Sequence, residues 1–341
     1  MKIVIDALGG DNAPLEILKG GWMAAQETGA EILFTGGKEQ LEKLIADNGF
    51  SHPGISVMDA PECISNDDTI HAIKEKKNSS LVVGLNLLRE GRADALISAG
   101  STGALITGAT LIAKRIRGIR RAALAPVVPN ATGNMVLIDC GATAECTPEY
   151  LLQFAFMGSY YAQRFLGIQN PRVGLLNIGT EPSKGMDLQK AAHALLTQAH
   201  EAGRIHFIGN IEGREAISQG VDVLVTDGFT GNIFLKTMEG AASLFTHALK
   251  DMLLGSTKTK LAALLLKDSL AGFKKRFDAN EVGGTALLGI SQPVIKAHGS
   301  SNGYAFFNAI RQAKVVAEGD IVGDIAANVD HMSLPRGKKE G

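Results

Sequence analysis

An α/β fold, built on a doubly wound and largely parallel sheet flanked by helices, follows from two features of this 341-residue sequence. First, five short, β-branched apolar runs each enter a polar, Gly-containing loop: KIVIDALGGDNAP (2–14), DALISAGSTGA (94–104), NMVLIDCGATA (134–144), RVGLLNIGTEPSKG (172–185) and DVLVTDGFTGN (222–232). Near-continuous apolar runs read as strands covered on both faces, the habit of parallel sheets. Second, helical patterns fall between these runs, and strand–loop–helix–strand repetition is the signature of an α/β layout.

Taken in order, the opening run is a first strand, since it lacks the long apolar region of a signal peptide. A helix follows at PLEILKGGWMAAQETG (14–29), then strands at AEILFTGG (30–37) and ISVMD (55–59). HAIKEKKNSSLVVGLNLLREG (71–91) reads as helix before the strand at 94, and TPEYLLQFAFMGSYYAQRFLG (147–167) as helix after the strand at 134. DLQKAAHALLTQAHEAG (187–203) continues as helix, RIHFIGN (204–210) as strand, and the strand at 222 leads into a predominantly helical stretch over 232–277. One large catalytic domain over 1–332, or two intimately joined subdomains, accommodates these elements, with 232–277 as a protruding arm and 333–341 as a frayed polar tail.

Composition narrows the function. A formal net charge of −1 and 5% aromatic residues argue against a nucleic-acid partner, and no apolar run is long enough to span a bilayer. Three cysteines, Cys63, Cys140 and Cys146, have no C-x-x-C spacing, which suits reduced thiols in the cytoplasm. Cys140 lies near a strand end, where a small buried residue is favoured over a nucleophile.

The informative excess is glycine, at 40 residues. DALISAGSTGALI (94–106) and DVLVTDGFTGNIF (222–234) share Asp94/Asp222, Leu96/Leu224, Gly100/Gly228, Thr102/Thr230 and Gly103/Gly231, with Ser98 opposite Thr226. Such turns point unpaired N–H groups at an anion, with Ser101, Thr102 and Thr230 as added hydroxyl donors; the plainer reading is helix capping and tight turns. IGTEPSKG adds Gly179, Thr180 and the cation Lys184, favouring an anion cleft at the carboxyl ends of the strands. Neither G-x-G-x-x-G nor G-x-x-x-x-G-K-[ST] occurs, so a conventionally held nucleotide is not expected. Asp6, Asp139 and Asp227 near strand ends are candidates for proton transfer, for a divalent cation, or for turn capping. His298, in a Gly/Ser-rich loop, is open between acid/base duty and turn-making.

At these residues the sequence resembles the bacterial phosphate acyltransferase family (PlsX). The resemblance rests on DALGGDNAP, KKNSSLVVGLNLLREGRADALISAGSTGAL, GLLNIGTEPSKG, FIGNIEGRE, TDGFTGNIFLKTMEG and VIKAHGSSN, in that order, and spans about residues 1–316. It implies a fold like phosphotransacetylase and isopropylmalate dehydrogenase. It also implies transfer of a fatty acyl group from acyl carrier protein to inorganic phosphate, giving acyl phosphate for phospholipid synthesis. A homodimer, a peripheral place on the inner face of the cell membrane and a downstream glycerol-phosphate acyltransferase partner belong to the same expectation; no cofactor or metal does.

That chemistry needs phosphate oriented and the thioester oxygen stabilised. Lys184 and Asn232, with the amides at 228–232, are the candidates for stabilisation, and Asp6 or His298 for protonating the departing thiol. Phosphate contacts are expected from Gly9, Gly10, Asp11, Ser101, Thr102, Gly103, Gly179, Thr180, Asp227, Gly228, Thr230 and Gly231. Departures from the family pattern are Thr143 where asparagine is usual, and Ala122 and Ala286 where prolines are common. Within 258–277, Leu266, Leu270, Phe273 and Phe277 recur at helical spacing among six cations and one acid, as a membrane-lying face or a dimer arm. Alternatives are an acyl-CoA-using phosphotransacetylase, a metal- and NAD-dependent decarboxylating dehydrogenase, and a non-enzymatic binder.

Overall fold

The computed structural model describes residues 1–332 except residue 66, and leaves the side chains at 274, 277 and 279 undescribed. The expected tail at 333–341 and the side chain of Phe277 therefore lie outside the described residues.

The chain is α/β, but its strands divide into two sheets. In chain order they are β1 (Lys2–Asp6), β2 (Glu31–Gly36), β3 (Ile55–Asp59), β4 (Ala95–Ser98), β5 (Ala123–Ala125), β6 (Val127–Asn130), β7 (Gly133–Ile138), β8 (Val173–Asn177), β9 (Phe207–Glu212), β10 (Val223–Val225), β11 (Gly284–Leu288) and β12 (Val294–Ala297). The larger sheet runs β3-β2-β1-β4-β12-β11-β5, the smaller β6-β7-β10-β8-β9. Most pairs are parallel, whereas β5–β11, β11–β12 and β6–β7 are antiparallel.

Between β5 and β6 stands Pro126 alone, so the chain passes from one sheet to the other there and returns through the helical arm between β10 and β11. Proline has no N–H to give a ladder and suits such a crossing. A continuous buried core joins the halves: Ile3, Ile5 and Ile97 of the larger sheet share it with Val136, Ile138 and Val225 of the smaller.

The helices follow the apolar periodicity at Leu15–Thr28, Pro148–Phe165 and Asp187–Glu201. The segment 71–91 is not one helix. It breaks into Ala72–Glu75 and Ser80–Arg89, because the Ser79 hydroxyl accepts the Val82 N–H and restarts the helix as a cap. The arm is Gly228–Leu254, Thr257–Leu265 and Lys267–Phe277. Arg276 ties it to the smaller sheet by donating to the Asn130 and Ala131 carbonyls at 2.9 and 3.2 Å.

Candidate active site

The twinned sequence stretches occupy matching places in the two sheets. β4 pairs in parallel with β1, aligning Ile5 with Ile97; β10 pairs in parallel with β7, aligning Ile138 with Val225. The shared aspartates serve strand entry: Asp94 accepts the Lys2 N–H at 2.7 Å and Asp222 the Arg172 N–H at 2.8 Å. Asp6, the last residue of β1, and Asp139, just after β7, then take corresponding positions, which the sequence alignment of the twinned runs does not reveal.

Both carboxylates are buried and spoken for. Asp6 accepts the Ser80 hydroxyl at 2.5 Å, the Ser98 hydroxyl at 2.7 Å and the Leu8 N–H at 3.3 Å. Asp139 accepts the N–H groups of Leu124, Ala142 and Thr143 at 2.8, 3.1 and 2.7 Å. Burial raises the Asp139 carboxyl to about 6 against the pull of those donors. Asp227 caps the long arm helix, accepting from the Thr230 N–H and hydroxyl at 2.8 Å each. The three aspartates are thus internal staples, and among the described residues no group of three or more His, Cys, Asp and Glu could hold a metal ion.

Glycine at the turns is required by close approach. A Cβ on Gly9 would sit 2.6 Å from an Asp6 carboxylate oxygen and 2.7 Å from the Gly100 nitrogen, and one on Gly231 would overlap the Asp139 carbonyl oxygen. The turns lie against their neighbouring loops, and one loop of each pair, after β4 and after β7, reaches the edge of one cavity.

That cavity, about 1790 Å3, lies at the junction of the two sheets and the arm. Ala99, Gly100 and Thr102 line it from the first twinned turn, Asn232 from just beyond the second, and Cys140 and Gly141 from the loop after β7. His298 lines it. Its Nδ1 lies 3.3 Å from the Ser300 N–H and 2.9 Å from the Ser300 hydroxyl, which assigns the remaining proton to Nε2. Partial burial first, then Lys236, lowers its pKa, so it is a neutral N–H donor near pH 7.

Lys296, Lys236 and Glu239, absent from the expected set, also line the cavity. The Lys296 ammonium donates to the carbonyls of Ala99, at 3.3 Å, and of Ala297. An ammonium has three donors, so one remains for the cavity. Burial pushes Lys296 down to about 8, opposed by Asp6 and Asp11. Lys236 is paired with Glu239 at 2.8 Å. The rest of the lining mixes apolar side chains, Val127, Leu235, Met238, Phe245 and Phe273, with charged ones, among them Lys275, Arg276, Glu281 and Arg311.

Other expected contacts stand elsewhere. Lys184, Gly179 and Thr180 lie in the loop after β8, where Lys184 and Thr180 are exposed, and none of the three lines the cavity. That loop is closed on itself: Asn177 donates to the Lys184 carbonyl at 3.1 Å and Asn210 to that of Glu181 at 2.8 Å. Gly9, Gly10 and Asp11 form the wall behind the cavity, the Asp11 N–H donating to the Gly299 carbonyl at 2.8 Å. Ser101 caps the helix Thr102–Gly108, and Gly103, Gly228, Thr230 and Gly231 stay outside the lining. Cys140 is buried with its thiol pushed far up by burial, which leaves it no thiolate.

Comparison with known proteins supplies the family. A family model described as "Fatty acid synthesis protein" matches residues 1–323. The chain is similar to proteins named phosphate acyltransferase from Thermoanaerobacterium thermosaccharolyticum, 45% identical over 97% of each chain, and Oceanobacillus iheyensis, 46% identical over 97% of this chain and 98% of that one. The chain belongs to the phosphate acyltransferase family. Members of this phosphate acyltransferase family are acyltransferase enzymes by name, and this chain is one. Among solved structures it shares its fold with a phosphotransacetylase from Streptococcus pyogenes (TM-score 0.64, 18% identity, 95% and 94% coverage). The Staphylococcus aureus EutD phosphotransacetylase is similar in fold too (TM-score 0.61, 17% identity, 94% of each chain). No helix among the described residues is long and apolar enough to cross a membrane.

Proposed function

We propose that the chain converts a fatty acyl thioester of acyl carrier protein and inorganic phosphate into acyl phosphate and free carrier thiol, feeding phospholipid synthesis. The observation that carries this reading is the cavity itself, which gathers Lys296, His298 and Asn232 beside the first twinned turn within a mostly apolar lining. At about 1790 Å3 it has room for a long acyl chain as well as phosphate.

In this reading phosphate seats among Lys296, Lys236, Asn232 and the neutral His298, and Thr102 adds a hydroxyl. A phosphate oxygen attacks the thioester carbonyl; the C–O bond forms, the C–S bond breaks, and the sulfur leaves as thiolate. Donors aimed at the developing oxyanion supply the electrostatic part of catalysis. Lys296, near 8, matches a thiol in acidity and is suited to hand it a proton. Asp6 then acts as a positioning residue, through Ser98 and the Gly9–Gly100 contact, and Lys184 binds at the rim only if its loop moves.

The test is phosphate-dependent acyl hydroxamate formation in hydroxylamine with long-chain acyl carrier protein, run beside short acyl-CoA. Lys296→Met should lower kcat by about 100-fold or more. Wild-type activity should fall as pH rises through about 8, because the working ammonium is lost above that pH. No acyl phosphate from the carrier thioester would overturn the assignment, and a preference for short acyl-CoA would favour a phosphotransacetylase-like donor.

The arm supports a homodimer or peripheral membrane contact, the latter at the cytoplasmic face and near the downstream glycerol-phosphate acyltransferase. Leu266 and Phe273 are exposed and Leu270 half-buried, yet the most exposed apolar group lies at Leu261, Leu264 and Leu265.

A further inference from the structure

A second, smaller concavity of about 270 Å3 opens beside the loop after β7, lined by Ile106, Thr110, Arg115, Arg121, Ala142 and Thr143. It differs from the large cavity in chemistry: two arginines and two threonines are among the few residues that line it. Neither arginine has a carboxylate partner among the described residues; Arg121 lies over the Tyr150 ring at 5.6 Å, which holds its plane without neutralising it. Among the described residues the Thr143 hydroxyl reaches the Ala122 carbonyl alone, at a long 3.4 Å.

The run KRIRGIRR (114–121) carries five cations, and Lys114, Arg117, Arg120 and Arg121 are exposed. A field of this kind draws anions toward the concavity. The two spaces also share their walls. Gly141 lines the large cavity while Ala142 and Thr143 line the small one, and the helix Thr102–Gly108 gives Thr102 to the first and Ile106 to the second.

We propose that Arg115, Arg121, Thr110 and Thr143 form a binding site for the phosphate ester of the thioester donor, anchoring its pantetheine arm while the thioester enters the large cavity. This rests on the acyl-transfer reading above. Planar guanidinium forks match phosphate oxygens bidentately. A recess of about 270 Å3 has room for a phosphate ester and the first atoms of the arm attached to it.

The experiment compares decanoyl-4′-phosphopantetheine with decanoyl-pantetheine as donors for wild type, Arg115→Ala/Arg121→Ala and the charge-keeping Arg115→Lys/Arg121→Lys. The alanine pair should raise KM for the phosphorylated donor by at least about tenfold, leaving KM for the unphosphorylated donor and for inorganic phosphate unchanged. The lysine pair should recover part of the loss. Calorimetry of 4′-phosphopantetheine against pantetheine on the wild-type protein gives the second readout, needing no variant and no turnover: the phosphate should tighten binding by at least about tenfold. Equal binding of the two would overturn the site, as would a KM change shared by both donors or one confined to inorganic phosphate. A loss seen only with intact carrier protein would also overturn it, assigning the arginines to the carrier's surface. Failure of the acyl-transfer reading looks different: wild type would make no acyl phosphate from any thioester, while the calorimetric contrast would persist.

Discussion

Gly103 and Gly231 are twins in sequence and opposites in setting. A Cβ on Gly231 would collide with the Asp139 carbonyl oxygen, whereas one on Gly103 would meet nothing within 4 Å. Gly231→Ala should therefore cost about 1–3 kcal/mol in urea unfolding, as overpacking does. Gly103→Ala, in the helix Thr102–Gly108, should be neutral or gain up to about 1 kcal/mol from helix propensity. Equal effects would show that the close approach is not what holds glycine at 231. The shared letters make the twinning legible, but which glycine is under pressure depends on a neighbouring loop from another part of the chain. Lys296 is the converse case. A charged residue within the apolar run VIKA (294–297) is itself a signal, since lysine is seldom buried unless its end has partners; those partners, Ala99 and Ala297, are carbonyls and invisible in a sequence. Lys184, a cation among Gly and Thr in the sequence, stands on an exposed loop whose glycines serve the loop.

At the scale of elements, the eight parallel strands with long apolar runs were readable from residue type alone, as were the amphipathic helices. β5, β6, β11 and β12 were not: they are three to five residues long, Gly- or Pro-flanked, and acquire strand character from partners distant in sequence. The division into two sheets hides for the same reason, turning on one proline between β5 and β6. The arm was legible as helix, but its most exposed apolar group falls in Thr257–Leu265 and just after it. Leu264 and Leu265 are 68% and 81% exposed, so they contribute nothing to the fold of a lone chain. Leu264→Glu/Leu265→Glu should cut co-sedimentation with anionic liposomes by at least about tenfold and keep activity on soluble donor. Unchanged co-sedimentation would place membrane contact elsewhere, and loss of a dimer would assign the group to a second copy.

For the whole molecule, a core shared by both sheets sets the expected cooperativity. Trp22, the sole tryptophan, lies on the helix Leu15–Thr28 of the larger-sheet half and packs on Phe50 with ring centroids 5.4 Å apart. Its fluorescence and the far-UV circular dichroism of the entire chain should report one coincident unfolding midpoint in urea; two separated midpoints would mean that the sheets fold as independent units. The 27-residue helix Gly228–Leu254 spans about 40 Å. It leaves the reaction end through Asn232 and Lys236, and its far end stands among leucines open to solvent. Its first turn is pinned where Gly231 meets the Asp139 carbonyl, so the same rigid rod that presents Asn232 and Lys236 to the cavity carries its outer leucines well clear of the sheets.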